Sequence, residues 1–491
     1  MKVLLIIPPK VNDQWVVRED KYNGESTSAV TPYTPIILYS LIKRELPFID
    51  LKLIEAQRDG IGFEETVIRV KKFDPELIIT YMSWCHIPED RKVAELPYPT
   101  IAIILQQTID RKEAIRLYDL QSKFICKNEI EYPIVHALKE FHETNKIIST
   151  KGFLINDSGK YIDTGDAPLA DLSELPIPDF DTFEYEKYFR LRTKSAEIGD
   201  GIQYLAMLNT MKGCLFNCIY CGQARKNQKA RFQTSDQVYE QIRILVGRYK
   251  VRHINFIDNE FGVNLKRAKE ICRKIIKNEL DFTWQVNNRV ELFDDELIRL
   301  MAEAGCTNVR LGIETCDPTL QKFINKNIDL DQAKNTISKI KDVGITIHLY
   351  FIIGIPGETK DTLKMNARFI SAVEPNSFSS TPLFLMPNSI FYQSLKTQNK
   401  IIIQDWAEYK TPDKLVFQNE SYSKFEEIVK AQNYVNKHIY LRLFFKLPLS
   451  PRKHFLYALL FFCSTTTWQV LRPMVPKKLL ELLPRMLIYD S

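Results

Sequence analysis

The chain has 491 residues, which is too long for one small core and predicts two or three domains. Its 45% hydrophobic and 26% charged residues are ordinary for a soluble globular protein. Nine unevenly spaced cysteines exclude the disulfide framework of small secreted domains. The apolar run at residues 3–7 is too short for the core of a signal peptide and indicates a buried strand.

Residues 1 to about 145 alternate short apolar strands with amphipathic helices, a pattern typical of a parallel, doubly wound, Rossmann-like sheet. The predicted strands are 3–7, 51–54, 77–80 and 101–105, and the predicted helices are 35–45, 63–72 and 134–142. The segment 171–179 is rich in proline and acids and is typical of a linker.

A second alternation follows the linker. Predicted strands are 204–208, 253–257, 283–286, 309–313 and 348–353, and predicted helices are 265–277, 294–304 and 330–343. Repeated strand–helix units predict an α/β fold with a full or partial (β/α) barrel, whose chemistry lies on loops at the carboxyl ends of the strands. We therefore expect an N-terminal domain at 1–145, a linker at 146–195, a barrel at 196–390 and a helical, basic region at 391–491.

Three cysteines lie within eight residues, in Cys214-Leu-Phe-Asn-Cys218-Ile-Tyr-Cys221. A structural zinc needs four protein ligands, and an ordinary four-iron cluster uses four thiolates. Three thiolates on one loop therefore predict a [4Fe-4S] cluster with one iron open to a ligand that is not protein. Two alternatives are a zinc knuckle completed by a distant residue and three unrelated buried cysteines.

The cysteine loop, with Tyr220 before its last cysteine, resembles that of the radical S-adenosylmethionine (SAM) superfamily. Other segments, in this order, are similar to the class with an N-terminal cobalamin-binding domain: 4–9, 172–178, 256–261, 304–315, 354–359 and 440–442. The resemblance implies an enzyme in which the open iron binds SAM. Reductive cleavage of SAM then gives a 5′-deoxyadenosyl radical that attacks an unactivated carbon.

The resemblance also implies roles for residues after the barrel strands. Asp258, Asn259 and Glu260 replace the Gly-Gly-Glu stretch that holds the SAM amino group, and Gly354, Ile355 and Pro356 match the loop beside its adenine. The alternative for the second loop is a tight turn ahead of a helix.

Three charged residues of the barrel are further candidates for SAM contact. Glu314 is expected to contact the SAM amino or ribose groups, with a salt bridge to Lys326 or Arg289 as the alternative. Arg289 and Lys326 are candidates for the SAM carboxylate, with pairing at the surface as their alternative.

The first domain departs from the family pattern, so the sequence leaves cobalamin binding open. The Asp-x-His-x-x-Gly string that ligates cobalt is absent, and Gly-rich stretches are replaced by Leu105-Gln-Gln-Thr108 and Lys127-Asn-Glu-Ile-Glu131. Gln and Asn side chains crowd a cofactor where glycine admits it. Thr80, Ser83 and Thr108 are candidate hydrogen-bonding residues and Trp84 a candidate for stacking. His86 is a candidate ligand, with an internal polar role as the more common alternative.

The last segment carries the net positive charge, with nine basic and two acidic residues from Lys437 to Ser491. Aromatic residues are interleaved with these charges, which favours an amphipathic or core-packing helix over a membrane span. Peripheral contact with anionic lipid is a further hypothesis. Nucleic-acid binding is not expected, because no recognised module accompanies the charge.

The sequence therefore predicts a cytoplasmic radical SAM enzyme, possessing a [4Fe-4S] cluster and served by an electron donor such as a flavodoxin or ferredoxin. The leading hypothesis is cobalamin-dependent methyl transfer to a natural-product or lipid precursor. One alternative is cobalamin-free oxidation, cyclisation or rearrangement with a degenerate first domain. The other is a metal- or cluster-bearing binding module without turnover.

Overall fold

The computed structural model contains two parallel sheets, one in each half of the chain. It describes residues 1–18, 23–26, 31–105, 109–127, 129–191, 205–224, 229–410 and 414–446. The residues from 447 onward, which include most of the basic segment 437–491, and the candidate Thr108 lie outside the described residues.

The first sheet has seven strands in the order β4-β1-β5-β6-β7-β8-β9, and β2 and β3 form a separate hairpin. The strands are β1 (Lys2–Ile7), β2 (Trp15–Arg18), β3 (Asn23–Ser26), β4 (Asp50–Glu55), β5 (Leu77–Met82), β6 (Thr100–Ile104), β7 (Phe124–Cys126), β8 (Phe153–Asp157) and β9 (Lys160–Asp163). The helices are α1 (Tyr33–Glu45), α2 (Phe63–Phe73), α3 (Ile87–Ala94), α4 (Arg111–Tyr118) and α5 (Glu131–Thr144).

The five neighbouring strands β4, β1, β5, β6 and β7 are parallel, as the alternating sequence pattern predicts. The predicted domain boundary at residue 145 is too early, because β8 and β9 extend the same sheet with antiparallel pairs as far as Asp163. Their short alternating pattern lies in the stretch that the sequence assigns to the linker. Within that stretch, Leu172 and Leu175 are buried in the main core, and α6 (Tyr185–Leu191) follows.

The second sheet has six parallel strands in the order β10-β13-β14-β15-β16-β17. Its strands, with the hairpin β11–β12, are β10 (Leu205–Leu208), β11 (Met211–Lys212), β12 (Arg231–Phe232), β13 (His253–Phe256), β14 (Thr283–Asn288), β15 (Cys306–Glu314), β16 (Thr346–Ile353) and β17 (Ser377–Pro382). The helices are α7 (Ser235–Gly247), α8 (Leu265–Lys277), α9 (Asp295–Glu303), α10 (Pro318–Phe323), α11 (Leu330–Asp342) and α12 (Lys360–Val373). Six strands in an open order make this a partial barrel and confirm the predicted α/β class.

After the barrel, α13 (Ile390–Thr397) and α14 (Phe425–Lys446) are helical, as predicted. The described residues between these helices form a short 3-10 turn at Trp406–Lys410, and a β-bridge joins Ile401 to Phe417. Among the described residues, no helix is both long enough and apolar enough to cross a membrane.

The carboxyl ends of the two sheets face each other. Trp84, just after β5, packs edge-on against Phe384, just after β17, with ring centroids 5.7 Å apart. Glu131, at the start of α5, forms a buried ion pair with Lys212 of β11. Because active sites of α/β folds lie at these edges, ligands of both domains would meet in one space.

Candidate functional site

The three cysteines lie on an irregular loop that follows the hairpin strand β11. Gly213 begins this loop with φ of 82°, a left-handed conformation that glycine adopts without a steric cost. Cys218 is buried, and Cys214 and Cys221 are partly exposed. The backbone N–H of Cys221 donates to the carbonyl of Cys218 at 3.1 Å, and that of Gln223 donates to the Cys221 sulfur at 3.3 Å. The loop is thus a folded turn with its thiols held in place.

Arg289 contacts two residues of the cysteine loop, Phe216 and Cys218. Its guanidinium lies 4.0 Å from the centre of the Phe216 ring, and Nη1 lies 3.6 Å from the Cys218 sulfur. Nη2 donates to the carbonyl of Lys326 at 2.7 Å. A flat, permanently charged fork can stack and donate at the same time, which lysine cannot do. Arg289 is therefore a buried support of the cysteine loop, and its guanidinium also pairs with the partly exposed Glu291.

Two further contacts fix the loop on the barrel. Asn325 donates to the carbonyl of Asn217 at 3.0 Å, and Asn259 donates to the carbonyl of Gly213 at 2.9 Å. The cysteine loop is thus held by residues that follow two different strands of the barrel.

Burial raises the pKa of the Cys214 thiol to about 12 and that of Cys221 to about 11. Burial also raises the pKa of Cys218, although the charges of Lys326 and Arg289 oppose the shift. Iron binds the thiolate and displaces these protons, so cluster binding and deprotonation are coupled. No group of three His, Cys, Asp or Glu in the described chain converges on a single metal ion. In a four-iron cluster each thiolate would bind a different iron, and three thiols on one loop are the ligand set for such a cluster with one iron left open.

A compact group of charges lies beside the cysteines. Lys326 and Glu314 are buried and paired at 3.1 Å, which is the salt bridge that the sequence offers as an alternative role for Glu314. Burial, with the charge of Glu314, raises the pKa of Tyr220 well above its ordinary value, so this residue of the cysteine loop lies near the pair. The left-handed backbone of Glu314, at φ of 66°, turns its side chain over Gly312, where an added Cβ would lie 2.9 Å from Lys326 Nζ.

Glu260 completes this group. Its Oε2 atom is buried and accepts no hydrogen bond from the described residues. Burial raises the pKa of Glu260 to about 7, against the opposing charges of Lys326 and Arg289. The cysteines thus lie beside two carboxylates and two cations, one carboxylate having an unsatisfied oxygen.

The Asp258 side chain is buried and bonded to Thr210. Its oxygens accept from the backbone N–H of Thr210, at 2.6 Å, and from the Thr210 hydroxyl. It is also 1% exposed. The Asp258 side chain thus anchors Thr210, the residue before β11, and contact of Asp258 with a cofactor stays a prediction.

The loop Gly354-Ile355-Pro356 lies at the carboxyl end of β16. Gly354 has φ of 90°, and its carbonyl accepts from Asn419 at 2.7 Å. Ile355 is fully buried, and Glu358 accepts from the Gly354 N–H at 3.1 Å. Beside the loop is a mainly apolar cavity of about 250 Å³, lined in part by Gly354, Phe384, Leu385, Phe417 and Phe425. Both expectations for this segment are compatible with that geometry, since a tight turn also borders an apolar space.

The candidate residues of the first domain are internal. Thr80 donates to the carbonyl of Ile6 at 3.1 Å and is 0% exposed. His86 is also 0% exposed, and its Nδ1 lies 3.2 Å from the Cys85 sulfur. Ser83 and Trp84 are buried as well. His86 is thus an enclosed polar residue, the alternative that the sequence favours.

The sequence missed the residues that join the first domain to the cysteine loop. Glu129 accepts two hydrogen bonds from Arg231, at 2.8 and 2.9 Å, and Glu131 pairs with Lys212, two residues before Cys214. These acids lie in the stretch where relatives have Gly-Glu-Gly-Glu. The sequence contains the two acidic and the two basic residues, but only the fold shows that they pair.

Comparison with known proteins agrees with this geometry. Residues 208–370 match the radical SAM superfamily. An uncharacterized methyltransferase of Pyrococcus horikoshii is 25% identical over 438 residues, which cover 86% of this chain and 90% of that protein.

Two solved structures share the fold. The cobalamin-dependent S-adenosylmethionine radical enzyme OxsB aligns with a TM-score of 0.67 and 15% identity, covering 96% of this chain and 74% of that one. The radical S-adenosylmethionine methyltransferase TsrM of Kitasatospora setae aligns with a TM-score of 0.63 and 16% identity, covering 81% and 75%. Residues 208–370 of the chain are therefore similar to the radical SAM superfamily, and the chain shares the fold of these two solved enzymes.

Proposed function

We propose that the protein is a radical SAM enzyme that modifies an unactivated carbon of a small molecule, most directly by methyl transfer. The observation that carries this proposal is the group of two carboxylates and two cations beside a three-cysteine loop. SAM carries an ammonium and a carboxylate on one carbon, and it needs acceptors and donors side by side. Glu260 and Glu314 supply the acceptors, and Lys326 and Arg289 supply the positive charge.

The three thiols fit a [4Fe-4S] cluster, with Cys214, Cys218 and Cys221 as its ligands. Bound there with SAM, the cluster would supply the electron that cleaves SAM to methionine and a 5′-deoxyadenosyl radical. The chain's own part is to orient SAM and to exclude water. The unsatisfied Oε2 of Glu260 is placed to accept from the SAM ammonium, and the apolar cavity beside Gly354 suits a flat purine.

Cobalamin is the second cofactor that we propose, as the carrier of the transferred methyl group. The shared fold and the facing carboxyl edges support this proposal, since a cofactor on the first sheet would reach a substrate above the barrel. His86 is enclosed and would not reach a cobalt, so binding would depend on the backbone and on packing. Cobalamin-free radical oxidation, cyclisation or rearrangement remains the second candidate, supported by the stretches Leu105-Gln-Gln-Thr108 and Lys127-Asn-Glu-Ile-Glu131, which replace Gly-rich stretches of relatives.

Anaerobic reconstitution with iron and sulfide tests the reaction class. We expect about four irons per chain and formation of 5′-deoxyadenosine from SAM with a reductant. The Cys214→Ala variant should lose the bound iron and the formation of 5′-deoxyadenosine. The Cys272→Ala variant, which changes a buried cysteine of α8, should keep the iron and the activity. A Cys214→Ala variant with wild-type activity would contradict the proposal. Cobalt uptake with cobalamin separates the two candidates, because only methyl transfer by cobalamin needs it.

We also propose a reducing compartment, the cytoplasm, and an electron donor of the flavodoxin or ferredoxin type, because the cluster needs low-potential electrons. The basic, aromatic segment from Lys437 to Ser491 supports a proposal of peripheral contact with anionic lipid. Flotation with phosphatidylserine vesicles at low salt should carry the full chain upward. Recovery of the whole protein in the lower fraction would rule that contact out.

A further inference from the structure

Arg310 differs from the other buried cations of the described chain. It is 8% exposed, yet no described carboxylate, carbonyl or hydroxyl accepts a hydrogen bond from it. The others have partners: Arg18 pairs with Asp90 at 2.6 Å, and Arg267 donates to the carbonyl of Gln233 at 2.7 Å. Because arginine is rarely buried without a partner, Arg310 calls for an anion that the described residues do not provide.

Arg310 is the central residue of β15 and faces the inside of the barrel. Its neighbours Val309 and Leu311 belong to the main core, so Arg310 lies on the opposite face of β15. It is in register with Asn287, the next-to-last residue of β14. The guanidinium is therefore near the carboxyl end of that strand and on the same strand as Glu314.

The side chain beside Arg310 on β16 is polar, and no described carboxylate pairs with Arg310. His348, its register partner on β16, has Nδ1 2.7 Å from the Ser377 hydroxyl and Nε2 3.0 Å from that of Ser379. Burial, with the charge of Arg310, lowers the pKa of His348 to about 4, so this imidazole is neutral at pH 7. Glu314, further along β15, is already paired with Lys326.

Two more side chains on this face have unsatisfied polar atoms. Asn255 Oδ1 and Gln285 Nε2 are buried without a hydrogen-bond partner among the described residues. The two residues are in register on β13 and β14. A charge and two amides without partners, on neighbouring strands, form a site prepared for a polar ligand.

We propose that Arg310 and this inner face bind a carboxylate or phosphate group of the substrate, which is therefore an organic acid or a phosphate ester. The planar guanidinium matches either anion with two parallel hydrogen bonds. This inference rests on the proposed function for the reaction and adds the class of the substrate.

Thermal unfolding with added anions tests the site without knowledge of the substrate. The variants are Arg310→Met, which removes the charge at similar volume, and the control Arg267→Met, whose arginine has carbonyl partners. Without added anion, Arg310→Met should melt at or above the wild-type temperature, whereas Arg267→Met should melt lower. Sodium acetate and sodium phosphate, at ionic strength matched with sodium chloride, should raise the melting temperature of the wild type in a saturable way. Only Arg310→Met should lose that rise.

The anion that raises the melting temperature more shows whether the site prefers a carboxylate or a phosphate. The proposal is overturned if Arg310→Met melts as low as Arg267→Met, or if its response to both anions equals that of the wild type. A tenfold weaker binding of SAM by Arg310→Met would also overturn it, since Arg310 would then hold the SAM carboxylate. If the anion results are as expected but the reconstituted wild type forms no 5′-deoxyadenosine, the proposed function fails and the anion site stands.

Discussion

Replacing Glu129 by Gln tests whether the first domain holds the cysteine-bearing hairpin in place. Glu129 forms a bidentate pair with Arg231, and their side chains are 3% and 13% exposed. Burial raises the pKa of Glu129, but Lys212 and Arg231 together lower it below its ordinary value. Removing one partner of a buried pair leaves an uncompensated charge and costs about 3–5 kcal/mol. For a unit of this size, that cost lowers the melting temperature by on the order of 10 °C.

Differential scanning calorimetry of the chain without cofactors is the assay, with Glu303→Gln as the matched control. Glu303 pairs with Arg299, but the side chains are 49% and 63% exposed, so its loss should cost less than about 1 kcal/mol. The double variant Glu129→Leu with Arg231→Met should recover much of the stability, because no unpaired charge remains. The reasoning is refuted if Glu129→Gln and Glu303→Gln lower the melting temperature equally. It is also refuted if the separate effects of Glu129→Leu and Arg231→Met simply add in the double variant.

Three other predictions concern the barrel. Burial raises the pKa of Glu358 to about 7 from 4.5, so the folded protein keeps a proton that the unfolded chain releases. Glu358 should therefore contribute a fall of about 3 kcal/mol in the free energy of unfolding between about pH 4.5 and 7. In urea titrations at several pH values, Glu358→Gln should lower the slope, and the part that remains belongs to other buried carboxyls such as Glu260. Gly312→Ala places a Cβ 2.9 Å from Lys326 Nζ and should weaken SAM binding at least tenfold, as measured by equilibrium dialysis. The control Gly247→Ala, which has open space around the added Cβ, should leave SAM binding unchanged. Arg289→Lys loses the stacked fork under the cysteine loop, at a cost of about 1.5–3 kcal/mol, and should lower the iron content after reconstitution; an unchanged iron content would show that the fork is dispensable.

The alternation of apolar strands and amphipathic helices was sufficient to predict both sheets, because parallel strands buried on both faces are nearly continuous apolar runs. The cysteine motif was equally readable, since its chemistry depends on spacing along one loop. The strands β8 and β9 were missed because short antiparallel strands at a sheet edge have a weaker pattern. Their signal overlaps that of a polar linker.

The sequence did not show which side chains pair over long separations along the chain. Asp258 follows a strand at the expected place, but its side chain turns toward Thr210 and supports the loop. The partners of Glu129 and Glu131 are about 80 to 100 residues away in the chain. Arg310 was also not distinguishable, because only the register of β15 with its neighbours shows a buried arginine without an acid.

Electron paramagnetic resonance of the reduced, reconstituted protein tests the central claim most directly, namely that the open iron beside Glu260, Glu314 and Lys326 binds SAM. The account predicts the signal of a reduced [4Fe-4S] cluster whose g values shift when SAM is added. In Lys326→Met the cluster signal should persist, and the shift should need a higher SAM concentration. A cluster signal that SAM leaves unchanged in the wild type would contradict the account.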